Sequence, residues 1–274
     1  MEDTSTFAKW KRAILKSYPK LSLKDTFKFS CHKDLKCFTQ CCADVNIFLT
    51  PYDILRMKRG LKMTSEEFLA RYTEAITLDS RGFPAVLLKM GEDDLKSCPF
   101  VSKEGCTIYG DRPWACRMYP VGMASPDRNR PRQREEFYFI VDQEFFCLGF
   151  DGETQWTVEE WKKDQGVDEY ELKGGSYKDI TLHRFFLSGG RLSAEKTNMF
   201  YMACYDLDRF RRFIFSSKFF NLFDIEEMTI EGIRSNEEEL LDFGYRWLRF
   251  SLFQENTIRV RTPVLEERKR ELGL

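Results

Sequence analysis

Residues 97–122 read SCPFVSKEGCTIYGDRPWACRMYPVG. Three cysteines, Cys98, Cys106 and Cys116, are spaced here by short elements with distinct turn chemistry. Lys103-Glu104-Gly105 separates the apolar pairs Phe100-Val101 and Thr107-Ile108, which predicts a short β-hairpin. Arg112-Pro113 predicts a helix start of one or two turns, and Pro120 stops it. A hairpin and a short helix that present thiols in succession predict an irregular cysteine-rich module, not a regular sheet or bundle.

Upstream lies a second group, Cys31, Cys37, Cys41 and Cys42, and downstream a single Cys147. The ninth cysteine, Cys204, sits in the apolar stretch FYMACYDLDRF and reads as a core residue. Eight of nine cysteines therefore fall within residues 31–147. In a chain whose N-terminus, MEDTSTFAKWKRAI, lacks an apolar leader, the expected compartment is a reducing cytoplasm. There, clustered thiols point to metal ligation ahead of disulfides. All eight are candidate ligands: Cys31, Cys37, Cys41, Cys42, Cys98, Cys106, Cys116 and Cys147. No catalytic residues and no further cofactor-binding residues are assigned.

The spacings discriminate between metals. No two cysteines are separated by two residues, so the zinc-ribbon knuckle and the bacterial-ferredoxin run are absent. If residues 37–41 are helical, Cys37 and Cys41 share a face and Cys42 points about 100° away. Adjacent Cys41 and Cys42 suit different irons of a cluster, or different metal centres, better than one tetrahedral ion. This favours an iron–sulfur cofactor, with zinc as the alternative.

Cys106, Ile108, Tyr109, Arg112, Pro113, Cys116, Arg117, Tyr119 and Pro120 together form C-x-I-Y-x-x-R-P-x-x-C-R-x-Y-P. This resembles the signature of the YkgJ-type cysteine-cluster family. Cys98 before Pro99-Phe100, Phe29 ahead of Cys41-Cys42, Thr50-Pro51-x-Asp53-Ile54 and Cys147-Leu148-Gly149 resemble its other elements. The resemblance covers about residues 27–150. It implies a zinc- or iron-chelating domain; for the iron–sulfur reading, a [4Fe–4S] form is among those expected. It also implies kinship with a domain of flagellin lysine-N-methylases, so a protein-modifying enzyme is the alternative function. The family commonly has C-x2-C-x2-C-C where this chain has C-x5-C-x3-C-C. Arg112 and Arg117 are expected to donate to backbone or carboxylates, or to offset thiolate charge. Pro113 is expected to aim Cys116 inward, and Tyr109 and Tyr119 to cover the metal.

The remainder of the 274 residues predicts an α+β, predominantly α-helical protein. A metal module occupies 20–150, and a helical region occupies 151–274 or forms one unit with it. A lead-in helix is expected over Phe7–Ser17. Thr50-Pro51 and Thr64 with Glu67 open helices, and 73–90 is extended across an Arg81-Gly82 turn. Phe137–Val141 reads as a strand leading to Cys147. Thr157 with Glu160 and Ser235 with Glu238 read as capping boxes. Ala194–Ser216 is one periodic stretch, Thr257–Arg261 a short edge strand, and Gly174-Gly175 and Gly189-Gly190 turns.

With 43 Lys+Arg against 44 Asp+Glu, the net charge is −1, which gives no expectation of nucleic acid or a membrane surface as partner. Arg128, Arg130, Arg132 and Arg134 read as a solvated loop. A protein partner of unknown kind stays open. The 25 Phe, 11 Tyr and 5 Trp demand a core and exclude a disordered chain. Two His in the whole chain argue against histidine-centred hydrolase sites, and His32 beside Cys31 reads as an exposed neighbour. No Walker A, G-x-G-x-x-G or G-x-S-x-G is present.

Overall fold

A computed structural model describes residues 19–78, 83–124, 137–141 and 147–271. The expected Phe7–Ser17 helix, the Arg81-Gly82 turn and the arginine-rich loop lie outside these residues. Helices dominate, with small antiparallel sheets, so the protein is α+β and predominantly helical. No helix among the described residues is long and apolar enough to cross a membrane.

The chain forms two compact units, each made of two stretches: residues 1–48 with 89–172, and residues 49–88 with 173–274. The sequence suggested a metal module over 20–150 and a helical region over 151–274, or one unit made of both. Strand Thr26–Lys28 pairs antiparallel with Gln155–Thr157, so hydrogen bonds carry the first unit past residue 150.

In the first unit, Val121–Ala124 pairs with Phe137–Ile140. Phe27, Phe29, Met118, Val121, Tyr138, Val158, Trp161 and Val167 form its buried apolar cluster. Trp161 is tied in at its polar end, its indole N–H donating to the Met118 carbonyl at 3.1 Å. Trp156 donates likewise to the Phe29 carbonyl at 3.0 Å. A buried indole needs such a partner, so these bonds fix where the rings lie. Thr157 and Glu160 make the expected capping box on the helix Val158–Asp164, which delivers Trp161.

In the second unit, the helices Pro51–Gly60 and Ser65–Tyr72 start at the expected Thr50 and Thr64 caps. Thr73–Leu78 and Phe83–Leu88 pair antiparallel. The helix Glu237–Phe253 buries Leu240, Leu241, Phe243, Trp247 and Leu248 as the spacing requires. Arg259–Val260 pairs with Phe223–Asp224, a short version of the expected edge strand. Cys204 is fully buried at the end of the helix Ala194–Cys204, a core residue as expected.

Three local readings are corrected. The stretch 194–216 is two helices, Ala194–Cys204 and Leu207–Ser216, because the Asp206 carboxylate caps the second by accepting from the Arg209 N–H. The cap of the last long helix is Asn236, not Ser235. Ser235 still belongs to the helix Glu227–Ser235, whereas Asn236 has the extended backbone an N-cap requires. Gly174 and Gly175 lie inside the helix Val167–Thr181, where two glycine penalties of about 1 kcal/mol each do not outweigh continuity of the hydrogen-bond ladder. Gly189, with φ 85°, does mark a turn.

Candidate metal centre

The hairpin forms where expected: Val101–Ser102 pairs with Gly105–Cys106, and Gly105 takes φ 109°, a conformation glycine adopts without strain. The strand ends at Cys106, and Tyr109–Asp111 turns into a 3-10 helix. Pro113 then caps the short helix Trp114–Met118, as its fixed φ favours. This helix carries Cys116.

Residues 31–42 are a series of tight turns ending in the 3-10 helix Gln40–Cys42. Gln40 N–H donates to the Cys37 carbonyl and Cys42 N–H to the Thr39 carbonyl, both three residues back. The conditional α-helical face for Cys37 and Cys41 is therefore not the geometry found.

No disulfide joins any of the nine cysteines. Two neighbourhoods of thiols result from backbone pairing. In one, Ser30 N–H donates to the Gly149 carbonyl at 2.8 Å, and Leu148 N–H donates to the Cys37 sulfur at 3.3 Å. These bonds bring 30–31, 37 and 147–149 together. The Cys31 thiol is pushed up to about 11, first by its partial withdrawal from water, then by Cys41, Cys147 and Cys37 nearby. The Tyr119 hydroxyl is raised in the same place, by burial and then by a hydrogen bond with Cys147.

In the other, Cys98 N–H donates to the Cys42 carbonyl at 2.8 Å, and the hairpin sets Cys106 opposite Val101. Burial raises the Cys98 and Cys106 thiols, while N–H groups of Phe100 and Val101 favour ionised Cys98 and that of Ile108 favours ionised Cys106. Cys42 lies within electrostatic reach of Cys98 and Cys116 as well as Cys41. Within the adjacent pair Cys41 ionises first, at about 7, because the Cys42 thiol hydrogen-bonds to it. Cys42 is correspondingly raised.

Cys37 is buried and Cys41, Cys42, Cys98, Cys106 and Cys147 are partly buried, whereas Cys31 and Cys116 are exposed. The expectation that Pro113 aims Cys116 inward is thus corrected. The inward face of this short helix is occupied by the larger Arg117 and Met118. Tyr109 is 59% exposed and lies under the Arg112 guanidinium, 3.7 Å from its ring centre, so it does not cover the thiols. Tyr119 does adjoin them and packs edge-on against Phe29. His32 is exposed beside Asp34.

Arg112 and Arg117 serve the backbone, one of the roles expected of them. Arg117 is buried and donates to the carbonyls of Arg112 at 3.1 Å, Gln165 at 2.8 Å and Gly110 at 2.5 Å. Arg112 donates to the Tyr109 carbonyl and to the Gln165 side chain. The loop between Cys106 and Cys116 is thereby clamped to residue 165. Gln165, and Tyr170 under the Arg117 guanidinium at 4.4 Å, were not legible as part of this region. They lie about fifty residues downstream, outside every cysteine spacing.

Gly149 approaches Phe29 closely: a Cβ there would stand 2.7 Å from the ring. Phe29 is held by Tyr119, Phe150 and Trp161, so it has no room to yield. Gly149→Ala should cost about 1–3 kcal/mol in urea unfolding, and an unchanged midpoint would contradict this packing.

Among the described residues, no group of three or more His, Cys, Asp or Glu side chains is placed to hold one metal ion. The chemistry of the donor set nonetheless fits a soft metal. It is all sulfur, it is flanked by N–H donors aimed at sulfur, and each thiol moves on a single side-chain torsion.

No curated protein and no solved structure matches the chain. Residues 30–145 match the model of the CxxCxxCC family, described as "Putative zinc- or iron-chelating domain".

Proposed function

We propose that this protein holds iron as an iron–sulfur cofactor through Cys31, Cys37, Cys41, Cys42, Cys98, Cys106, Cys116 and Cys147. The carrying observation is the backbone pairing that draws the stretches around Cys31, Cys37 and Cys147 together and, separately, those around Cys42, Cys98 and Cys106. Iron–sulfur chemistry is favoured over zinc by the adjacent Cys41-Cys42 pair and by the lack of a zinc knuckle. Partly buried sulfurs that accept N–H and O–H hydrogen bonds also suit a cluster, since such bonds stabilise the charge it carries. When bound, the cofactor supplies either a rigid cross-link for the loops or a one-electron couple.

Protein isolated without oxygen should be brown and contain iron and acid-labile sulfide. Colourless protein with stoichiometric zinc would reject the iron–sulfur form while keeping the thiolate site.

A further inference from the structure

We propose that the eight thiols make two separate four-thiolate centres, which meet at the Cys41-Cys42 peptide. This rests on the metal-binding reading above and specifies its architecture. The first centre takes Cys31, Cys37, Cys41 and Cys147. The second takes Cys42, Cys98, Cys106 and Cys116.

The division follows from how the backbone is paired. The bonds from Ser30 to Gly149 and from Leu148 N–H to the Cys37 sulfur collect the first set at one end of the Gln40–Cys42 turn. Tyr119 borders this set, within reach of Cys147, Cys41 and Cys31. At the other end, Cys98 is tied to the Cys42 carbonyl, and an antiparallel bridge joins Ala43 to Ser97. The hairpin brings Cys106 beside that junction, and Arg112 stands within reach of both Cys106 and Cys116. The neighbours of Cys31 are Cys37, Cys41 and Cys147, whereas those of Cys42 beyond Cys41 are Cys98 and Cys116. The Cys41 and Cys42 thiols hydrogen-bond to each other in this structure, and a turn of either about its single side-chain torsion parts them, so the two adjacent cysteines can serve two centres without distorting the peptide between them. Each set also has one exposed member, Cys31 or Cys116, at its solvent edge.

The test is a cobalt(II) titration of the metal-free full-length chain without oxygen, read by sulfur-to-cobalt charge-transfer absorption. Saturation at two equivalents is expected. Cys31→Ser and Cys116→Ser should each weaken one equivalent at least tenfold and leave the other within twofold. Cysteine alkylation of the unaltered protein at increasing cobalt, mapped by mass spectrometry, gives a readout independent of any variant's folding. Protection should appear in the two sets of four. Saturation at one equivalent, or protection of all eight together at one equivalent, would overturn the division while leaving the metal site standing. Absence of any sulfur-to-cobalt band would overturn the metal site itself.

Discussion

Acidification should strip metal from the Cys42, Cys98, Cys106 and Cys116 thiols, with affinity falling by at least about a thousandfold per pH unit below neutrality. Cys42, Cys98 and Cys106 all ionise above their ordinary range, Cys42 through its hydrogen bond to Cys41 and the other two through burial. Each therefore keeps its proton near neutral pH, and metal must displace it. Every displaced proton contributes about tenfold per pH unit, so these three alone give the stated slope as a minimum, to which the Cys116 thiol adds. The sign follows directly: raised thiols make binding stronger as pH rises and weaker as it falls. Cys41, brought down to about 7, belongs to the other set and does not enter this slope. A chelator-competition series across pH measures the slope. A flat profile would mean that these thiols are not displaced by the metal.

Arg117→Ala should destabilise the first unit by about 3–5 kcal/mol. Its guanidinium is the shared donor for the carbonyls of Gly110, Arg112 and Gln165. Removal leaves the buried Arg112 carbonyl without that donor, at about 1–3 kcal/mol, breaks the part-buried charged bonds to Gln165 and Gly110, and loses the contact over Tyr170. Arg117→Lys should recover less than half, because an ammonium cannot reach three divergent carbonyls as a planar fork does. Urea unfolding of the two variants decides this. A loss below about 1 kcal/mol for the alanine variant would show that the clamp does not hold the loop.

Local chemistry carried much of the fold into the sequence. Thr50, Thr64 and Thr157 each announce a helix, because a cap acts over three residues and needs nothing distant. The hairpin at Gly105 and the helix after Pro113 were legible for the same reason. What stayed hidden depends on partners far along the chain. Residues 155–157 return to pair with 26–28, and no local pattern names that register. The Arg112 and Arg117 residues stood out in the signature, but their shared partner Gln165 is an unremarkable polar residue until the fold brings it near. Asn236 displaced Ser235 as a cap because the preceding helix runs one residue further than composition suggests. The cysteines were visible as a cluster, while their sorting to either end of the Gln40–Cys42 turn required the backbone pairing.

The most direct test of the account is X-ray absorption at the iron and zinc edges of the protein as isolated without oxygen. The account predicts stoichiometric metal whose nearest shell is sulfur alone, with iron–iron scattering where a cluster is present. A nearest shell of nitrogen or oxygen, or no bound metal with all eight thiols open to alkylation, would contradict it.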